Sequence, residues 1–163
     1  MIKTAKEIQT DMMELVRNTP ISTDLHTGRS FPYVFPFVLG STTIADCVSG
    51  SVYRQGLRPR DSHLEDITVG FVAGIPEQIQ TGVIAICIYV PDIDPYSNGV
   101  LVEDMERTAQ LERLSQDWYD SIRKPALSIG YNISLQDTIT TIAEDSINQH
   151  FVSIMLKYSF YNG

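Results

Sequence analysis

The chain has 163 residues, 43% hydrophobic and 20% charged, with 12 Lys and Arg against 20 Asp and Glu and a net charge of −8. That length predicts one domain with a proper core, and the composition is ordinary for a soluble globular protein. The acidic balance opposes sequence-independent nucleic-acid binding, which needs Lys and Arg to neutralise phosphate, and disfavours anchoring to anionic lipid.

Met1-Ile2-Lys3-Thr4 leads directly into a helical pattern, so no signal peptide is expected. Thr4 and Glu7 have capping-box spacing, and Ile8, Met12, Leu15 and Val16 fall on one face until Asn18-Thr19-Pro20 ends the helix. With no Trp and few cations, this face suits packing on a sheet better than lying in a membrane. Between Ile21 and Leu39, Pro32 and Pro36 oppose a central strand, while Phe31, Tyr33, Val34, Phe35, Phe37 and Val38 oppose disorder. Two readings stand open for this arm of about residues 20–45: a loop folded over its own core, or an element docking on a neighbouring subunit. Phe31, Tyr33, Phe35 and Phe37 alternate, so an extended backbone points all four one way. They are candidate interface residues, together with Arg58 and Arg60.

Short strands are expected at residues 48–53 and 67–72, joined by an exposed loop carrying Arg58, Pro59, Arg60, Asp61, His63 and Glu65. Gly74-Ile75-Pro76-Glu77 turns the chain into residues 83–90, an eight-residue run without a charge. The run is too short to span a membrane and rich in β-branched side chains. Val83, Ala85, Cys87 and Tyr89 share one face and Ile84, Ile86, Ile88 and Val90 the other, which predicts a central strand covered on both sides. With no crossover helix between them, these three strands are expected to form an antiparallel meander. Turn chemistry fills residues 92–99. A helix is expected over residues 102–123, with Leu111, Leu114, Trp118 and Ile122 in one stripe and Lys124-Pro125 closing it. Tyr131, Ile133 and Leu135 alternate as another strand, and His150, Val152, Ile154, Leu156, Tyr158 and Phe160 line one face of an edge or half-exposed strand. The fold class is therefore α+β, a single domain with a mostly antiparallel four- to five-stranded sheet and two helices packed against it.

Motifs for chemistry are sparse. Asp92, Asp94 and Glu103 approximate a calcium loop, but Tyr96 and Ser97 occupy its fifth and sixth positions, where the turn needs glycine, so a solvated turn is the better reading. His26, His63 and His150 show no paired metal spacing, and His63 near Glu65 and Asp66 reads as an exposed ion pair. Cys47 and Cys87 supply neither a disulfide framework nor zinc spacing, and Cys87 reads as a small buried hydrophobe. The sequence contains no nucleophile elbow, P-loop or dinucleotide fingerprint. No catalytic residue, cofactor or metal is assigned.

One family arrangement does match. Gly50-Ser51-Val52-Tyr53, Arg58-Pro59, Glu65-Asp66-Ile67-Thr68-Val69, and Gln80-Thr81-Gly82-Val83 through Ile88-Tyr89-Val90-Pro91-Asp92 resemble the tail-completion (tail-terminator) and related neck proteins of double-stranded DNA phages. The helix with Arg107, Leu111 and Trp118 and the closing strand from His150 continue the same order. Residues 20–45 depart from a compact terminator, which leaves room for another ring, such as an adaptor in a short-tailed, crAss-like virion. The resemblance implies a structural virion protein in the neck or tail, assembled in the host cytoplasm. It further implies a homo-oligomeric ring, six- or twelve-fold, contacting adjacent neck, portal or tail proteins while DNA passes through the lumen without specific binding. A small dimeric ligand-binding or regulatory domain of a cytoplasmic protein is the alternative.

Overall fold

A computed structural model describes residues 1–21 and 42–161. The first helix, α1 (Ala5–Asn18), starts where the capping box predicts. The Glu7 N–H donates to Thr4 Oγ1 at 3.4 Å, and the Thr4 N–H donates to Glu7 Oε2 at 3.3 Å. Its inward face buries Ile8, Met12, Leu15 and Val16. Gln9 Nε2 donates to the Val69 carbonyl at 2.6 Å, tying the helix to the sheet.

Among the described residues, six strands form one sheet: β1 (Val52–Arg54), β2 (Ile67–Ile75), β3 (Ile79–Pro91), β4 (Tyr131–Leu135), β5 (Thr140–Glu144) and β6 (Gln149–Tyr161). Their order is β1-β2-β3-β6-β4, with β5 also paired to β6. The apolar run predicted as a spine lies at the centre. β3 is antiparallel to β2, with Ile86 opposite Val69, and to β6, with Ile86 opposite Ile154. Gly82 leaves room for this packing: a Cβ there would sit 2.3 Å from the Ala73 carbonyl and 2.6 Å from the Tyr158 hydroxyl. The second helix, α2 (Met105–Ser128), buries Leu111, Leu114, Trp118 and Ile122, as the stripe predicts.

Several expectations are corrected. β1 and β2 run parallel, with Val52 opposite Ile67, so the first three strands are not a meander. The connection between them, residues 55–66, is about the dozen residues a crossover needs and contains no helix. Among the described residues, helices cover only one side of the spine. Ile84, Ile86, Ile88 and Val90 share one core with α1 and α2, whereas Val83, Ala85, Cys87 and Tyr89 are half-buried on a sheet face without helices.

Pro125 lies inside α2 and does not end it. A proline removes one N–H from the ladder, and fully buried Ala126 holds the last turn against the core. The stop comes at Gly130, whose φ of +95° is available at little strain to glycine. β6 is an interior strand, since β3 occupies one edge and β4 and β5 the other. β5 brings the sheet to six strands where four or five were expected. The segment predicted as strand from residue 48 begins at Val52, after a 3-10 turn at Ile44–Cys47.

Candidate functional site

The connection between β1 and β2 was expected to be an exposed charged loop, yet it is built around a buried pair. Arg58 Nε donates to Asp66 Oδ2 at 2.9 Å, with the two side chains 8% and 1% exposed. Asp66 also accepts from the Ser51 N–H at 3.0 Å and from Ser62 Oγ at 2.5 Å. Arg58 Nη2 donates to Gln149 Oε1 at 2.9 Å and to the Leu64 carbonyl at 3.2 Å, while Gln149 Nε2 donates to the Ser62 carbonyl at 2.8 Å. Gly50 permits the approach, because a Cβ there would lie 2.0 Å from Asp66 Oδ1 and 2.7 Å from the Glu65 carbonyl oxygen. The Gly50, Arg58 and Asp66 motifs thus meet in one place. They hold β1 parallel to β2 and staple the connection to the start of β6.

Arg107 makes a second clamp. It donates to both Glu65 oxygens, at 2.6 and 2.8 Å, and to the Cys47 carbonyl at 2.6 Å, joining the start of α2 to the segment before β1. The expected grouping of His63 with Glu65 and Asp66 does not form: the carboxylates are taken by Arg107 and Arg58, and His63 is exposed. Asp92, expected in a solvated turn, is drawn inward, with Oδ1 2.7 Å from His150 Nδ1. Glu103 lies 3.5 Å from His150 Nε2 and accepts from Thr108 Oγ1 at 2.7 Å. Asp94 does serve the turn, accepting from the N–H groups of Asn98 and Gly99. Among the described residues, no group of three or more His, Cys, Asp or Glu has the geometry to hold a metal.

On the helix-free face, the Arg58 guanidinium stacks 4.1 Å from the centre of the Tyr89 ring, which is tilted against Phe151 at 5.4 Å. Burial pushes the Tyr89 hydroxyl pKa up, and Arg58 pulls it the other way. A cleft of about 420 Å³ opens here, lined in part by Arg58, Arg60, Thr68, Tyr89, Glu144 and Ser146. Cys47 and Cys87 are both held above the ordinary thiol range, at about 11, chiefly by burial. They are structural thiols, poor nucleophiles at neutral pH.

Of the candidate interface residues, Arg60 is exposed and Arg58 is committed to Asp66 and Gln149. Phe31, Tyr33, Phe35 and Phe37 lie outside the described residues. The base of their segment is described: the Ile21 N–H donates to the Thr42 carbonyl at 2.8 Å, and Pro20 and Thr43 form an antiparallel bridge. Sequence reasoning missed Asp66, Gln149 and Gly50 as one cluster. The repeated appearance of glycine, arginine and aspartate around short strands was its only local signal.

No protein-family model matches this chain, and no curated protein matches it. Among the described residues no helix is long and apolar enough to cross a membrane.

Proposed function

We propose that this chain is a structural subunit of a ring at the head–tail neck or tail of a double-stranded DNA phage, joining head and tail components around the DNA channel. The carrying observation is that, among the described residues, helices cover one face of the sheet and not the other. Both helices contribute to a single core, while Val83, Ala85, Cys87, Tyr89, Phe151 and Met155 make a half-buried apolar face opposite it. Apolar side chains left half-open on a sheet face make it a candidate interaction site. The buried arginines are committed to internal carboxylates, so the polar clusters brace the fold rather than converge on a reactive group.

The net charge of −8 supports a lumen through which DNA slides without being held, since phosphate would find few cations. Heterologous contacts that close by rotation make rings, and adjacent neck, portal or tail rings would be the partners. Negative-stain imaging of the purified protein with mass determination tests this reading. A closed ring with a central opening is expected; a monomer at all concentrations overturns it. The cleft beside Tyr89 favours a second reading, a small dimeric ligand-binding domain, and a fixed dimer independent of concentration would support that instead.

A further inference from the structure

Among the described residues, the sheet has two edges of different character with no further strand beside them. β1 covers β2 only along Ile67–Val69; beyond Arg54 the chain turns away at Gly56, where φ is +93°. The outer edge of β2 from residue 71 to 75 therefore has no strand beside it among the described residues. Val72 and Ile75 are 53% and 55% exposed there, and residues 70–75 carry no charge or proline to discourage pairing. A groove of about 280 Å³ continues the line that β1 abandons, between α1 and Phe71, with Lys6, Gln9, Gln55 and Gly56 in its lining.

The opposite margin of the sheet is shared by β4 and β5. β4 turns its apolar Tyr131 and Ile133 inward and exposes Asn132 and Ser134. β5 instead exposes Ile142, at 44%, on the helix-free side. Its helix-side residues, Thr141 and Ala143, are small. Glu112 lies under that side, accepting from Thr141 Oγ1 at 2.5 Å.

We infer that β2 of one copy pairs along residues 71–75 with β5 (Thr140–Glu144) of the next, so that a single sheet runs from subunit to subunit. The occupant of the β2 edge is thus a second copy of this chain. Thr141 and Ala143 are small enough for the groove beside α1, Ile142 meets Ile75 on the helix-free side, and Glu112 approaches Lys6. Ile142 and Ala143 supply the apolar part of the β5 edge, and Lys6 and Glu112 bring opposite charges to the helix side of the contact. Because the two edges differ, the contact is heterologous and repeats head to tail. The inference rests on the ring reading and supplies its junction.

Full-length Ile75→Lys and Ile142→Lys, both at exposed positions, test it. Each variant should melt like the parent protein but sediment as a protomer. An equimolar mixture should recover dimers, because each variant keeps one intact edge. Amides 71–75 should exchange with deuterium at least tenfold more slowly in the parent assembly than in either variant. Val72→Lys replaces Ile75→Lys should the latter shift the melting temperature. Rings that persist in both variants overturn edge pairing and leave the ring reading standing. Protomers that fail to recombine in the mixture also overturn it. A parent protein that is itself monomeric defeats both readings.

Discussion

Arg58 and Asp66 form a buried ion pair across the connection that makes β1 parallel to β2, with N–O separation of 2.9 Å. The pair satisfies a constraint that its backbone creates. Ser51 must turn its N–H inward to start β1, and the aspartate that accepts it would be an uncompensated buried charge without the guanidinium. Gln149, 91 residues from Arg58 in sequence, completes the arrangement.

Removing one partner of a buried pair strands the other charge, so Asp66→Ala should cost roughly 3–5 kcal/mol of stability. Gln116→Ala should cost under about 1 kcal/mol, because its contact with Asp120 is an exposed i,i+4 hydrogen bond on α2. Urea denaturation of the two variants checks the contrast, and equal losses would mean that Asp66 is solvated.

The two faces of β3 should respond differently to charge. Ile86→Asp places a carboxylate in the core, at a cost of several kcal/mol on a rough scale, and is expected to yield insoluble protein. Val83→Asp puts the same group opposite Lys157 on the helix-free face and should fold with a loss of about 1 kcal/mol or less. Soluble expression and thermal melting separate the outcomes; a folded Ile86→Asp would remove β3 from the core.

Cys47 and Cys87 should resist alkylation at pH 7.5 until the protein is denatured. A pKa near 11 in place of 9.0 lowers the thiolate fraction on the order of a hundredfold. The same shift has a sign for stability. A raised pKa means that the fold favours the neutral thiol, so the contribution is whole below pH 9 and is lost as pH rises through about 11. Burial moves the Tyr89, Tyr131 and Tyr158 hydroxyls in the same direction. The melting temperature should therefore fall on the alkaline side, and Cys47→Ala should fall less steeply between pH 9 and 11.

Deletion of residues 29–38 tests the aromatic arm. Its base is closed by the Ile21–Thr42 hydrogen bond and lies outside the deleted stretch, so the remaining domain should keep its melting transition. As an interface element, the arm carries Phe31, Tyr33, Phe35 and Phe37, and the deletion should abolish assembly. A molten product would assign the arm to the core, and normal assembly would remove it from the interface.

The sequence by itself determined what short-range physics controls. Thr4 and Glu7 start α1 because each satisfies the other's backbone N–H within one turn, and the stripe through Leu111 and Trp118 follows helical spacing. β3 was legible because eight uncharged, largely β-branched residues have few other stable conformations. Strand direction and burial of charge were decided only by tertiary structure. Arg58, Glu65 and Asp66 have the local appearance of a solvated loop, and their partners Gln149 and Arg107 lie far along the chain. The parallel course of β1 is braced by those distant groups, and the inward turn of Asp92 by His150, 58 residues further on. Periodicity reports which residues share a face, whereas the long-range pairing that satisfies a buried charge exists only once the chain has closed on itself.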